Sequence, residues 1–235
     1  MNGVALVVGV GPGLGGAIAR RFAREGFRVA LLARSSSFID ELARELSPAG
    51  KGAMAVVGDA SEPEQLSRAI KNVRAELGPI SVLVHNASAS SGDGLLGTSA
   101  AEFEATWRIA ALGAFVCARE TAPDMIAAGT GAIIFTGATS SVRGGGWLAF
   151  SSAKFALRGL AQSLARELWP RGIHVAHVIV DGLIGPRDSA PNESSAEPML
   201  DPDRMADAYF QLTQQDRSAW SLELDLRPHR ERFFE

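Results

Sequence analysis

Cysteine and tyrosine are nearly absent from this chain: Cys117 and Tyr209 each stand alone among 235 residues. A lone cysteine forms no intrachain disulfide and no thiolate metal cluster, which excludes a disulfide-built scaffold and fits a reducing, cytoplasmic setting. Cys117 therefore reads as a small buried hydrophobe. A lone tyrosine means that any chemistry needing a phenol must use Tyr209, whose i+4 spacing from Met205 reads instead as helix packing. No sign of charge dominates, since 23 basic and 26 acidic residues leave a net −3 with both signs interspersed. That excludes the basic footprint of a nucleic-acid binder. No run of about 18 apolar residues occurs, so no membrane span is expected. The uncharged stretch from Gly3 to Ala19 lacks a basic leading region and is broken by glycines, and it reads as a buried strand and turn rather than an export signal. His174 and His177 lie at odd spacing in one predicted strand, hence on opposite faces, and no metal site is expected.

What is present is apolar and glycine-rich, with 46% hydrophobic residues and 25 glycines, enough for one globular domain with a sizeable core. Short apolar runs alternate with segments of helical periodicity, the pattern of βαβ units. Strands are predicted at Val4–Val8, Val29–Ala33, Ala53–Val57, Val82–His85, Ala132–Thr136, Ile173–Val180 and Trp220–Leu226. Leu14, Ile18 and Phe22, then Leu66 and Ile70, then Leu157, Ala161 and Ala165, recur as helical stripes that can sit on a sheet. The expectation is a single doubly wound α/β domain across residues 1–235, with a seven-stranded parallel sheet, helices on both faces and ligand-binding groups just after the strands. Pro186 to Asp203 has no periodicity and precedes a helix around Met205–Leu212. The region from about 183 to 214 reads equally as a substrate lid or as a plain connector.

After the first strand comes Gly9-Val10-Gly11-Pro12-Gly13-Leu14-Gly15-Gly16, then a helical pattern. Glycines in that context let the backbone approach a pyrophosphate, whose charge meets the N–H groups and dipole of the helix N-terminus. The second strand ends in Ala33-Arg34. A short side chain followed by a guanidinium leaves room for, and pairs with, a ribose 2′-phosphate, which favours NADP(H) over NAD(H).

The glycines can be parsed as Gly11, Gly13, Gly16 or as Gly9, Gly13, Gly15, and the second parse, Gly-x-x-x-Gly-x-Gly, resembles the cofactor turn of the short-chain dehydrogenase/reductase superfamily. His85-Asn86-Ala87-Ser88 resembles that family's Asn-Asn-Ala-Gly motif, and Ser151-Ser152-Ala153-Lys154 resembles the segment carrying its active-site lysine. The resemblance implies a Rossmann-type fold, oxidoreductase chemistry on a small-molecule substrate, and a homodimer or homotetramer paired through two long central helices. It assigns cofactor contacts to Gly9, Gly11, Gly13, Leu14 and Gly15, to Asp59 and Ala60 at the adenine, and to Asn86, Ala87, Lys154 and Ile184.

Three catalytic positions depart from that pattern, as does the turn after the sixth strand, Asp181-Gly182-Leu183-Ile184-Gly185-Pro186, where the family has Pro-Gly and a later threonine. The family places a tyrosine four residues before the lysine as proton donor, and here Phe150 stands there. Its serine, 13 residues earlier again, falls on Gly137, and the helix asparagine falls on Ala110. The chain thus resembles a divergent branch with phenylalanine in the tyrosine place and the lysine kept. Loss of a positioned acid costs about 10²–10⁴ in rate. His85, or Lys154 itself if burial lowers its pKa, are the candidate replacement donors, and Thr136, Thr139 or Ser140 the candidate replacement hydroxyls. Trp147 and Phe150 are expected to line an apolar pocket over the nicotinamide. Two functions remain open at this point: an NADP(H)-dependent oxidoreductase with an atypical active site, or a non-catalytic NADP(H)-binding sensor or scaffold.

Overall fold

The computed structural model describes residues 3–47, 52–89, 94–186 and 199–231. Its elements run β1 Val4–Val8, α1 Leu14–Arg24, β2 Arg28–Ala33, α2 Ser36–Leu46, β3 Ala53–Val57, α3 Pro63–Leu77, β4 Ile80–His85, α4 Gly94–Gly97 and α5 Ala100–Trp107. A π-turn, Arg108–Leu112, joins α5 to α6 Gly113–Ala128. Then follow β5 Gly131–Thr136, α7 Leu148–Leu168, β6 Ile173–Val180, β7 Leu183–Ile184, β8 Met199–Leu200, α8 Pro202–Leu212 and β9 Glu223–Leu226.

Seven strands pair in parallel in the order β3-β2-β1-β4-β5-β6-β9. The chain winds outward from β1 through β2 and β3, then returns to lay β4, β5 and β6 on the other side. This opens a crevice beyond the C-terminal ends of β1 and β4, where doubly wound sheets bind ligands. Strand alternation sorts the core into two layers. Leu6, Val8, Leu83, Ile133 and Val175 pack with α3, α6 and α7 on one face, while Ala5, Val7, Val84, Ile134 and Ala176 pack with α1, α2 and α8 on the other. The inner strands β1, β4, β5 and β6 are covered on both sides, which is why these segments read as near-continuous apolar runs, whereas the edge strands β3 and β9 are only partly covered. On α7, Ala149, Ala153, Leu157, Ala161 and Ala165 form the buried stripe, and the alanines let the helix sit close to the sheet.

Two boundaries differ from expectation for local reasons. The last strand starts at Glu223 rather than Trp220, because Trp220 stacks on His174 with ring centroids 4.9 Å apart. The last helix starts three residues earlier than predicted: the Asp201 side chain accepts from the Asp203 N–H at 2.8 Å, and Pro202 takes the first helical position. The segment predicted to be aperiodic contains β8, which pairs in parallel with β7, and its residues 187–198 lie outside the described residues. His174 and His177 point to opposite faces, as their spacing requires; His174 bonds the Leu212 and Ser221 carbonyls, on different segments. Cys117 is fully buried, which drives its thiol pKa up. No helix among the described residues is long and apolar enough to cross a membrane.

Candidate active site

Two cavities, of about 360 and 540 Å³, meet at Gly9, Asn86 and Ser88 and form one trench across the C-terminal ends of the strands. Asn86 holds the junction: its backbone N–H donates to Val8 O at 2.8 Å and its side-chain Nδ2 to Gly9 O at 3.0 Å. The β4 end is thereby tied to the glycine turn.

The smaller cavity is lined by Gly9, Ala33, Arg34, Ser35, Asp59, Ala60, Asn86, Ala87 and Ile109, among others. Burial raises the pKa of Asp59, but the Ser61 N–H and hydroxyl, each 2.8 Å from Oδ1, and the charge of Arg34 outweigh it and hold the carboxyl below its usual range. Asp59 is thus a fixed anionic acceptor beside Arg34. Ala33, Arg34 and Ser35 lead directly into the N-terminus of α2.

The turn between the halves separates its glycines by purpose. A Cβ on Gly15 would meet Gly9 O at 2.4 Å, and Gly9 adopts φ +86° with the Ala87 backbone 2.5 Å from where its Cβ would lie. Those two glycines serve the packing of the chain on itself. Gly11 and Gly13 face nothing within 4 Å, and neither has a positive φ. Their bare backbone leaves room for an external group beside α1, whose N-terminus has no side-chain cap and no acidic residue in its first turn.

The larger cavity runs from Gly11, Gly13, Leu14 and Gly15 past Thr136, Gly137, Thr139 and Ser140 to Trp147, Phe150, Lys154, Leu183 and Ile184. Lys154 is 2% exposed, donates from Nζ to Thr136 O at 2.8 Å, and lies 5.4 Å from the centroid of the Phe150 ring. Burial lowers its pKa from 10.5 to about 8. The rings of Trp147 and Phe150 meet edge to face at 6.1 Å. The predicted residues Gly9, Gly11, Gly13, Leu14, Gly15, Arg34, Asp59, Ala60, Asn86, Ala87, Phe150, Lys154 and Ile184 all line one cavity or the other.

His85 does not join them. It is fully buried behind the wall, where burial and then the Lys154 charge drive its pKa down to about 3, so its ring stays neutral at working pH. Tyr209 is also fully buried, its hydroxyl sharing a 2.8 Å hydrogen bond with Thr136 Oγ1, and burial raises its pKa. Thr136 is thereby engaged. Thr139 donates to Asp181, which pairs with Arg227 Nη1 at 2.8 Å, leaving Ser140 as the candidate hydroxyl without such a commitment.

Several determinants were out of reach of sequence reasoning. Asp181 and Arg227 meet across 46 positions. His177 fills the space beneath Gly137, so a Cβ built there would fall 2.3 Å from its Nε2 and 2.9 Å from Ser141 Oγ. A side chain at Gly137 and the His177 ring exclude each other. Ala110, in the asparagine slot, is fully buried within the π-turn. Ser88 and Ile109 also line the trench; Ser88 stands in the Asn86 motif, and Ile109 neighbours Ala110, but no spacing singled either out.

A glycine turn, a tethering asparagine and a buried lysine thus converge on one trench at the switch point of the sheet. The family model for short chain dehydrogenases matches residues 3–187. The chain belongs to the short-chain dehydrogenase/reductase family. A member from Armillaria gallica is 33% identical over 177 residues, covering 73% of this chain and 67% of that one. The crystal structure of a short-chain dehydrogenase from Rhodopseudomonas palustris is 38% identical, with TM-score 0.84 over 97% of this chain and 100% of that one. A metagenomic short-chain oxidoreductase solved in complex with NADP is 29% identical, with TM-score 0.83 over 97% and 98%. Like other members of this oxidoreductase family, the chain carries its ligand trench across a single seven-stranded α/β domain.

Proposed function

We propose that this chain is an NADP(H)-dependent oxidoreductase that interconverts a small-molecule carbonyl compound and its alcohol, with Lys154 as the general acid for reduction. The observation that carries this reading is that Lys154 is the one ionisable side chain among the described residues lining the larger cavity, with burial setting its pKa at about 8. A dinucleotide fits the trench: the bare Gly11 and Gly13 and the uncapped start of α1 suit a pyrophosphate, and Asp59 suits an adenine donor. Arg34, with the short Ala33 before it, supports NADP(H) over NAD(H).

When bound, the cofactor supplies the hydride. Lys154 holds the proton at Nζ, oriented by the Thr136 carbonyl, and delivers it to the substrate oxygen, becoming a neutral amine. Ser140 supplies the hydroxyl that positions that oxygen, the phenol place being taken by Phe150. The segment from about 183 to 214, with Ile184 on the cavity lining, is the substrate lid in this reading. Exposed aromatic side chains on α5, α6 and α7 support a homodimer or homotetramer, and the buried lone thiol of Cys117 accords with a cytoplasmic location.

The loss of polar groups at Phe150, Gly137 and Ala110 favours a second reading, a sensor or scaffold that binds NADP(H) without turnover. One experiment separates the readings. Titration with NADPH and NADH, followed by nicotinamide fluorescence and thermal stability, is expected to show tighter NADPH binding, and Arg34→Asp to reduce that preference by about tenfold or more. Deuterium transfer from labelled NADPH to an alcohol product then identifies the oxidoreductase, whereas binding without transfer favours the sensor. No binding of either nucleotide overturns both.

A further inference from the structure

We propose that the substrate is an uncharged, apolar ketone or aldehyde, held by its hydrocarbon part between Trp147, Phe150 and the β7–β8 pair. This rests on the reductase reading and adds the chemical class that the site selects.

The first argument is charge. Lys154 is the one charged side chain on the described lining of the larger cavity, and it is almost wholly buried and bonded to a backbone carbonyl. Among the described residues, the guanidinium groups of Arg227 and Arg143 are committed elsewhere: Arg227 pairs with Asp181 and Asp225, and Arg143 is likewise engaged. Among the described residues, a substrate carboxylate or phosphate lying beside Trp147 and Phe150, away from the glycine turn, would lose its hydration and meet no cation except the proton donor itself.

The second argument is the surface around the mouth. Trp147 is 55% exposed, Leu183 53%, Ile184 39% and Met199 55%, and they come from three segments that meet at one rim. Trp147, Phe150, Leu183 and Ile184 line the cavity itself, and Met199 is the register partner of Leu183. Exposed apolar side chains gathered at the entrance of a catalytic cavity have an occupant to bury them. Phe150 is then more than a lost tyrosine, because it continues the apolar wall down to Lys154.

The third argument concerns the approach to Trp147. Gly144, Gly145 and Gly146 precede it; all are exposed, none has a positive φ, and a Cβ on any of them would meet nothing within 4 Å. Neither crowding nor backbone conformation in the described fold requires glycine there. With no side chains before it, this approach, tied to α7 by the Gly145 N–H donating to Ser151 Oγ at 3.3 Å, leaves the exposed indole face open to a hydrocarbon surface.

The test uses the NADPH-saturated protein and two probes that share a ring and carbonyl but differ in charge, acetophenone and 4-acetylbenzoate. Binding is read by tryptophan fluorescence and by thermal stability, so turnover is not needed. Acetophenone is expected to bind at least about tenfold more tightly, and a para-alkyl group to strengthen it further. Trp147→Ala and Leu183→Asp, both at positions about half exposed, are each expected to weaken acetophenone by about tenfold, with NADPH affinity and thermal stability measured separately for each variant. NADPH binding with equal or tighter binding of 4-acetylbenzoate, or with no binding of either probe, overturns the inference alone. Failure of NADPH to bind removes the reductase reading and this inference with it.

Discussion

At the scale of single residues, Lys154 ties the environment to the chemistry. Its ammonium must be present to protonate a substrate oxygen, so with a pKa of about 8 the reduction rate is expected to hold steady below that pH and to fall roughly tenfold per unit above it. Lys154→Met should abolish turnover and weaken NADPH binding far less, since the glycine-turn and Arg34 contacts remain; a rate profile unchanged through that window would exclude this lysine as the acid. The same burial sets a stability window. Below about pH 8 the lysine is charged in both the folded and unfolded chain, and above 10.5 it is neutral in both. Between these values the unfolded chain binds the extra proton, so stability attributable to Lys154 rises with pH, and the methionine variant should lose that slope. Gly137 makes a second case. Gly137→Ser should cost about 1–3 kcal/mol in unfolding free energy, because its Cβ has no room beside the His177 ring, and His177→Ala in the same chain should recover much of that loss. Additive effects in denaturant titrations would show that the ring is not what excludes the serine. Phe150→Tyr alone is therefore expected to restore only part of the usual acid's contribution, the serine and asparagine places being still empty.

At the scale of elements, the glycine turn joins two requirements that one motif conceals. Gly15→Ala should lower the stability of the free protein, since the new methyl group meets Gly9 O. Gly11→Val should leave that stability nearly unchanged and weaken NADPH by at least about tenfold, because only a bound pyrophosphate needs the space. Thermal melts with and without nucleotide distinguish the two, and equal behaviour would contradict the division. α7 shows a comparable split. Its alanine stripe faces the sheet, its start carries Phe150 and Lys154 into the cavity, and Phe155 faces away, half-exposed. The strands and this helix were legible from periodicity, because alternating apolar runs and i, i+4 spacing are properties of near neighbours in the chain. The two-residue pair of β7 with β8 was not, since strands this short leave no pattern.

For the whole molecule, the aromatic residues left outside the core are the informative ones. Phe103 and Trp107 on α5, Phe115 on α6 and Phe155 on α7 are each between about a third and a half exposed, and α5 packs against α7. A second copy of the chain covering this face would bury them. Light scattering is expected to show a dimer or tetramer, and Phe115→Glu with Phe155→Glu to shift it toward monomer without loss of helix content. A wild-type monomer at micromolar concentration would remove the assembly proposal while leaving the site untouched. Arg34, just past the end of β2 and outside that aromatic cluster, should keep its effect on nucleotide preference through that change.

The sequence by itself determined the class of fold, the order of its strands along the chain, the glycine turn, and the presence of a lysine without its tyrosine. Each is written in residues close together, or in spacings that a helix or strand maps directly onto space. Only the tertiary structure decided which groups remain chemically available. It showed Thr136 engaged by Tyr209, Thr139 by Asp181, His85 sealed behind the wall, and Gly137 held bare by His177. Those outcomes depend on which side chains from distant segments compete for the same few ångströms, and on how much water is excluded from Lys154 once they have packed.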